Sequence, residues 1–234
     1  MNGAAGAEGQ RLFSFSYVEL EYDAAAAAIL LCVCIIPKAE IAPDSALEVD
    51  RRQGFGVPEK SVRPREIFGW AMYDFANSGY TTVVITAVFN AYFVSVVAGN
   101  AAWATFAWTA SLAISYAAII ATAPLAGAWA DLHAAKKRLL AITTAGCVLG
   151  TAALALVGPG ELWLAVILIA VSNFFFGSGE NVVAAFLPEL ADEEALGKVS
   201  GWGWSLGYLG GLVALGACLA YVRSEEHTSE LQSH

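Results

Sequence analysis

Two carboxylic acids, Asp74 and Glu180, sit inside long apolar stretches, each within a row of polar and small residues at helical spacing. Asp74, Asn77, Ser78 and Thr81 fall at i, i+3, i+4 and i+7; Asn173, Gly177, Glu180 and Asn181 fall at i, i+4, i+7 and i+8. Either spacing puts its members on one face of a helix. A carboxylate within a bilayer costs about 3 kcal/mol on insertion scales, so such a group usually faces the protein interior and serves a function. Carboxylate, amide and hydroxyl groups together can hold a polar solute, and a carboxyl can take up and release a proton. Two readings stay open. The acids form a wall of a central polar cavity, or they snorkel to the interface and close structural hydrogen bonds.

Other chemistries fail on context. Gly203-Trp-Ser205-Leu-Gly207 has the spacing of a nucleophile elbow, but that elbow needs a strand-to-helix turn and a histidine partner. This pentapeptide lies in an apolar helical stretch, and His133, His227 and His234 all lie outside such stretches. Tyr73-Asp74 has the form of half of an intramembrane aspartyl-protease pair, yet no G-x-G-D follows. No phosphate-binding G-x-x-x-x-G-K-[ST] occurs. Cys32, Cys34, Cys147 and Cys218 show no C-x-x-C pairing and are expected to be small apolar side chains, so neither a metal nor a cofactor is expected. Carriage remains, rather than covalent chemistry.

The elements that position these residues follow from composition. Of 234 residues, 58% are hydrophobic and 14% charged, with a mean hydropathy of +0.60. Soluble domains carry roughly 25% charged residues, so this chain cannot clothe a water-facing surface. A cytosolic enzyme and a disordered acidic protein are thereby disfavoured, and a net charge of −9 disfavours a nucleic-acid partner. Five apolar stretches, about 67–98, 101–130, 139–157, 162–187 and 200–222, are near or above the roughly 20 residues that span a bilayer core. Helices are expected, because each span must satisfy its own backbone. Arg51, Arg52, Lys60, Arg63 and Arg65 precede the first stretch, Lys136, Lys137 and Arg138 follow the second, and Lys198 follows the fourth; the alternate loops have neither Lys nor Arg. The positive-inside rule then predicts a cytoplasmic N-terminus.

The spans also group. Helices one and four lead two successive sets of three, as in transporters whose inverted three-helix repeats surround one site. On the fifth, Gly203, Gly207 and Gly211 recur every four residues, a face that lets a neighbouring helix approach closely. Residues 1–55 are expected to be a poorly structured or non-native extension, since the apolar run 24–37 is too short to span and follows acidic rather than basic residues. Residues 223–234 resemble an in-frame translation of a sequencing-library adapter, which implies that the protein continues past the fifth span.

The loop Gly127-Ala-Trp-Ala-Asp131-Leu-His-Ala-Ala-Lys136-Lys137-Arg138 resembles the signature G-x-x-x-D-R-x-G-R-[RK] of the major facilitator superfamily. Gly127 and Asp131 match, and Lys136 and Lys137 fall at basic positions; Leu132, Ala134 and Ala135 stand where Arg, Gly and Arg are expected. In such a loop Gly127 permits close packing, while Asp131 and the basic cluster through Arg138 hold one conformation by charge and helix-dipole contacts. Gly69-Trp-Ala-Met-Tyr-Asp-Phe-Ala-Asn-Ser-Gly-Tyr80, Ala185-Phe-Leu-Pro-Glu-Leu190 and Ser200-Gly-Trp-Gly-Trp-Ser-Leu-Gly-Tyr-Leu-Gly-Gly211 resemble the vacuole-effluxer family within it.

Together these resemblances cover about residues 66–222 and imply an all-α membrane bundle, the first five of twelve transmembrane helices in a secondary transporter. The implied function is proton-linked carriage of small polar solutes, amino-acid efflux among them, in a bacterial cytoplasmic membrane or, in a eukaryote, a vacuolar or other endomembrane. Asp74, Asn77, Ser78, Thr81, Asn173, Glu180 and Asn181 are the expected substrate or proton pathway. The lipid bilayer, the solute, protons and a second bundle are the expected partners. Five helices alone cannot alternate access, so this stretch is expected to be inactive by itself. The competing class is a non-transporting scaffold or receptor-like protein on the same fold.

Overall fold

The structure, a computed structural model, describes residues 64–232 apart from residue 192, with the backbone alone at residue 222 and from 224 onward. The expected extension 1–55 lies outside the described residues. Among those described, five helices are long and apolar enough to cross a membrane, and no strand occurs. They are α1 (Pro64–Val97), α2 (Ala104–Leu132), α3 (Lys136–Leu154), α4 (Leu162–Ala184) and α5 (Glu193–Gln232). One helical turn, Leu187–Leu190, links α4 to α5. The protein is an integral, multi-pass, all-α membrane protein.

The helix ends follow local chemistry. Between α1 and α2, Gly99 (φ 58°) and Asn100 (φ 57°) adopt the left-handed conformation in succession, which these two residue types tolerate best. Pro124 stands inside α2, where neighbouring groups in a membrane bundle can absorb the lost backbone donor. The sequence places the fifth span at about 200–222, whereas α5 begins at Glu193 and its backbone stays helical through 223–232. Glu193 and Glu194 open it, and acidic side chains are favourable in a first turn.

α1 is not a uniform α-helix. Pro64–Gly79 is α-helical, Tyr80–Ala87 is a π-helix, Val88–Tyr92 returns to α, and Phe93–Val97 closes as π. The cause lies in the run Thr81-Thr-Val-Val-Ile-Thr86, six consecutive β-branched residues. Such side chains crowd the preceding turn of an α-helix, and threonine hydroxyls compete for its carbonyls. Thr82 Oγ1 donates to Ser78 O at 3.0 Å and Thr86 Oγ1 donates to Thr81 O at 2.8 Å, the latter five residues back.

Backbones approach closely between α1 and α5, α3 and α4, and α2 and α4. Gly150 makes one such approach: a methyl group there would meet Ser172 Cα at 3.0 Å. An aromatic core of Phe89, Tyr92, Phe93 and Trp108 pins the end of α1 to α2. Outward, Phe106, Ile120 and Leu125 on α2 and Trp163 on α4 are at least 72% exposed. Apolar surface on this scale suits a bilayer rather than water.

Candidate functional site

The first half of α1 presents two polar faces to two neighbours. On one, Trp70 Nε1 donates to Val183 O at 3.0 Å, Tyr73 OH pairs with Thr144 Oγ1 at 3.1 Å, and Asn77 Nδ2 donates to Glu180 Oε1. Tyr80 continues this row, with its hydroxyl 2.8 Å from Ser172 Oγ and its ring stacked on Phe176 at 4.6 Å. Residues 70, 73, 77 and 80 therefore join α1 to α3 and α4 through their side chains, Trp70 reaching a backbone carbonyl.

On the other face, Asp74 and Ser78 lie against α5. A methyl group at Gly207 would stand 2.6 Å from Asp74 Oδ2 and 2.9 Å from Ser78 Oγ. A methyl at Gly203 would strike the Trp70 ring, one at Gly210 the Phe75 carbonyl oxygen, and one at Gly211 would lie 2.5 Å from Thr82 Oγ1. Small side chains let membrane helices meet backbone to backbone. Gly203, Gly207 and Gly211 thus all face α1, and Gly210 is tighter still.

Asp74 and Glu180 are both partly buried. Glu180 has the Asn77 amide as a donor, whereas Asp74 has no hydrogen-bond donor among the described residues. The centre therefore joins two carboxylates, an amide, the Ser78 hydroxyl and the rings of Trp70, Tyr73 and Tyr80.

Three sequence-predicted residues stand elsewhere. Thr81 is exposed, because the helix widens to π at Tyr80 and Thr82, not Thr81, meets α5. Asn173 is fully buried and turns to α2, where Nδ2 donates to Ser115 Oγ at 3.0 Å while Oδ1 has no partner among the described residues. Asn181 is exposed at a separate cleft of about 280 Å³ between α2, α3 and α4, which Ser178, Asp131 and Lys136 also line.

That cleft ends at the loop between α2 and α3. Lys136 Nζ lies 3.4 Å from Asp131 Oδ1 and 2.8 Å from Glu189 Oε1, so one ammonium ties α2 and α3 to the turn before α5. Lys137 and Arg138 are exposed beside it. Gly127 differs from expectation: a methyl there would meet nothing within 4 Å, because the residue lines the open cleft instead of a helix contact. Ala134 occupies the signature's glycine position and adopts φ 48°, the left-handed conformation a glycine would take without strain.

Trp70, Tyr73, Tyr80 and Glu189 are the residues sequence spacing missed. The first three share a helical row with Asn77, and Glu189 follows a proline just beyond the fourth span, as an acid facing a basic loop would.

The sequence profile of the Major Facilitator Superfamily matches residues 14–215. The chain belongs to the major facilitator superfamily. The match begins well before residue 66, so it extends further toward the N-terminus than the signature segments alone. A superfamily relative, the "Uncharacterized MFS-type transporter YxiO" of Bacillus subtilis (strain 168), is 35% identical over 148 residues, 62% of this chain and 34% of the relative. The chain thus spans about a third of that relative's length. No solved structure matches.

Proposed function

We propose that the protein is a proton-linked secondary transporter of small polar solutes, amino acids among them, in the vacuole-effluxer branch of the superfamily. Alternating access requires a second bundle facing this one, with which α1 and α4 would enclose the solute. The observation that carries the reading is the Asn77–Glu180 hydrogen bond between α1 and α4, with Asp74, which has no donor among the described residues, on the same helix as Asn77. A scaffold has no use for two carboxylates inside the bilayer, whereas a carrier can exchange their protons or satisfy them with solute. Asp74, Asn77, Ser78 and Glu180 form the pathway in this reading. Asp131, Lys136 and Glu189, with Lys137 and Arg138, hold one conformation from the cytoplasmic side.

The test is uptake into proteoliposomes holding the intact protein under an imposed pH gradient, with an amino-acid mixture as the probe. Accumulation that collapses with the gradient and is lost in Asp74→Asn and in Glu180→Gln is the expected result. Undiminished activity in both variants removes proton coupling through these groups. No transport of any small polar solute favours the scaffold or receptor-like class.

A further inference from the structure

α1 is held by different neighbours at its two ends, and the π-helix Tyr80–Ala87 lies between them. The first half is seated on α5: the backbone at Phe75 abuts Gly210, and a methyl at Gly79 would stand 3.4 Å from Ala214 Cβ. Its grip on α4 is of another kind, made of side-chain hydrogen bonds from Trp70 and Asn77. Such bonds between membrane helices are individually weak, because competing partners remain when they break. The far end is fixed to α2 and to the loop between α3 and α4. Phe89 and Phe93 pack on Trp108, Tyr92 OH donates to Val157 O at 2.8 Å, and Gly160 N donates to Val97 O at 3.2 Å.

Between these anchors the backbone departs from α geometry. Ala87, at the end of the π segment, has φ −109° and ψ −68°, far from α values. π segments within α-helices are rare and gather at functional sites, where a local change of hydrogen-bond register lets one part of a helix turn against the next.

We propose that Tyr80–Ala87 is a hinge, and that the first half of α1 moves with α5 as one unit, parting from α4 while the far end of α1 stays on α2. Parting breaks the Trp70–Val183, Tyr73–Thr144 and Asn77–Glu180 bonds and uncovers Glu180, while Asp74 travels with α1 against α5. This deepens the transport reading and rests on it for its purpose, though the motion itself is measurable without a solute.

Hydrogen–deuterium exchange on the intact protein in lipid nanodiscs reads the hinge directly. Amides of 82–87 are expected to exchange at least about tenfold faster than those of 66–78 and 89–92, since local opening follows weakened backbone hydrogen bonds. Val83→Leu, Ile85→Leu and Thr86→Ala combined remove three of the six β-branched residues and should raise protection toward that of the flanks. With the native cysteines replaced by alanine, a disulfide between Gly79→Cys and Ala214→Cys should leave exchange at 82–87 unchanged. A bifunctional thiol cross-link between Trp70→Cys and Val183→Cys should slow it by about the same tenfold factor, because it ties the moving half to α4. Uniform protection along α1, or equal slowing by both cross-links, overturns the hinge. The full exchange pattern in a protein that carries no solute supports the hinge and overturns the transport reading alone.

Discussion

Asn77 and Asp74 lie three residues apart on one helix, yet they serve different neighbours. The amide reaches α4 and the carboxylate lies on α5, although the sequence counts them as a single stripe. Angular spacing gathers residues within about a quarter-turn, but it cannot tell which of two packed helices each will meet. Losing the amide isolates Glu180, so Asn77→Leu should lower stability by about 1 kcal/mol, the scale of a hydrogen bond between membrane helices. Thermal unfolding in detergent would register that change, and an unchanged midpoint would mean the bond contributes nothing net. The loop after α2 offers the opposite sign. Ala134 adopts φ 48°, where a β-carbon is strained by about 1–2 kcal/mol, so Ala134→Gly should raise stability by about 1 kcal/mol after glycine's larger unfolded-state entropy is offset. A midpoint lowered by this substitution would show that the strained alanine is compensated elsewhere.

The five spans were legible as elements because unbroken apolar length is a strong signal, and the structure has five helices of membrane length. What the apolar count concealed is the interior of α1. The run Thr81–Thr86 holds its β-branched residues in plain view, but apolar length and charge placement are blind to it. A π turn advances the chain differently from an α turn, and this is why Thr81 left its expected face. On α5 the glycines divide by what surrounds them, and spacing alone does not reveal that Gly210 approaches α1 more tightly than the four-residue series. Gly210→Ala would drive a methyl into the Phe75 carbonyl oxygen and should destabilise by about 1–3 kcal/mol, as overpacking does. Gly216→Ala meets nothing within 4 Å and should instead gain about 0.5–1 kcal/mol from lower backbone entropy. Denaturation midpoints of the two variants should fall on opposite sides of the parent. Shifts in the same direction would refute the asymmetry of the helix.

Across the whole molecule, the placement of Lys and Arg carries information that the net charge of −9 does not. Lys136, Lys137 and Arg138 open α3, although basic side chains are disfavoured by the dipole in a helix's first turn. Asp131 and Glu189 offset one of them: Lys136 bridges to both from a half-exposed position. Exposed ion pairs contribute below about 1 kcal/mol, so Glu189→Gln should scarcely move the unfolding midpoint. Stability therefore does not account for a basic cluster at this end; we propose that it sets membrane orientation, since short loops rich in Lys and Arg stay cytoplasmic. The turn Gly99–Asn100 and the loop 158–161 lie at the opposite end of the bundle and contain no such residue. In intact cells lacking other reactive thiols, Asn100→Cys should label with a membrane-impermeant maleimide, and Lys137→Cys should label only after the membrane is opened. The reverse pattern would place the Lys136 tie outside and would invert the side from which Glu180 is reached when α1 parts from α4.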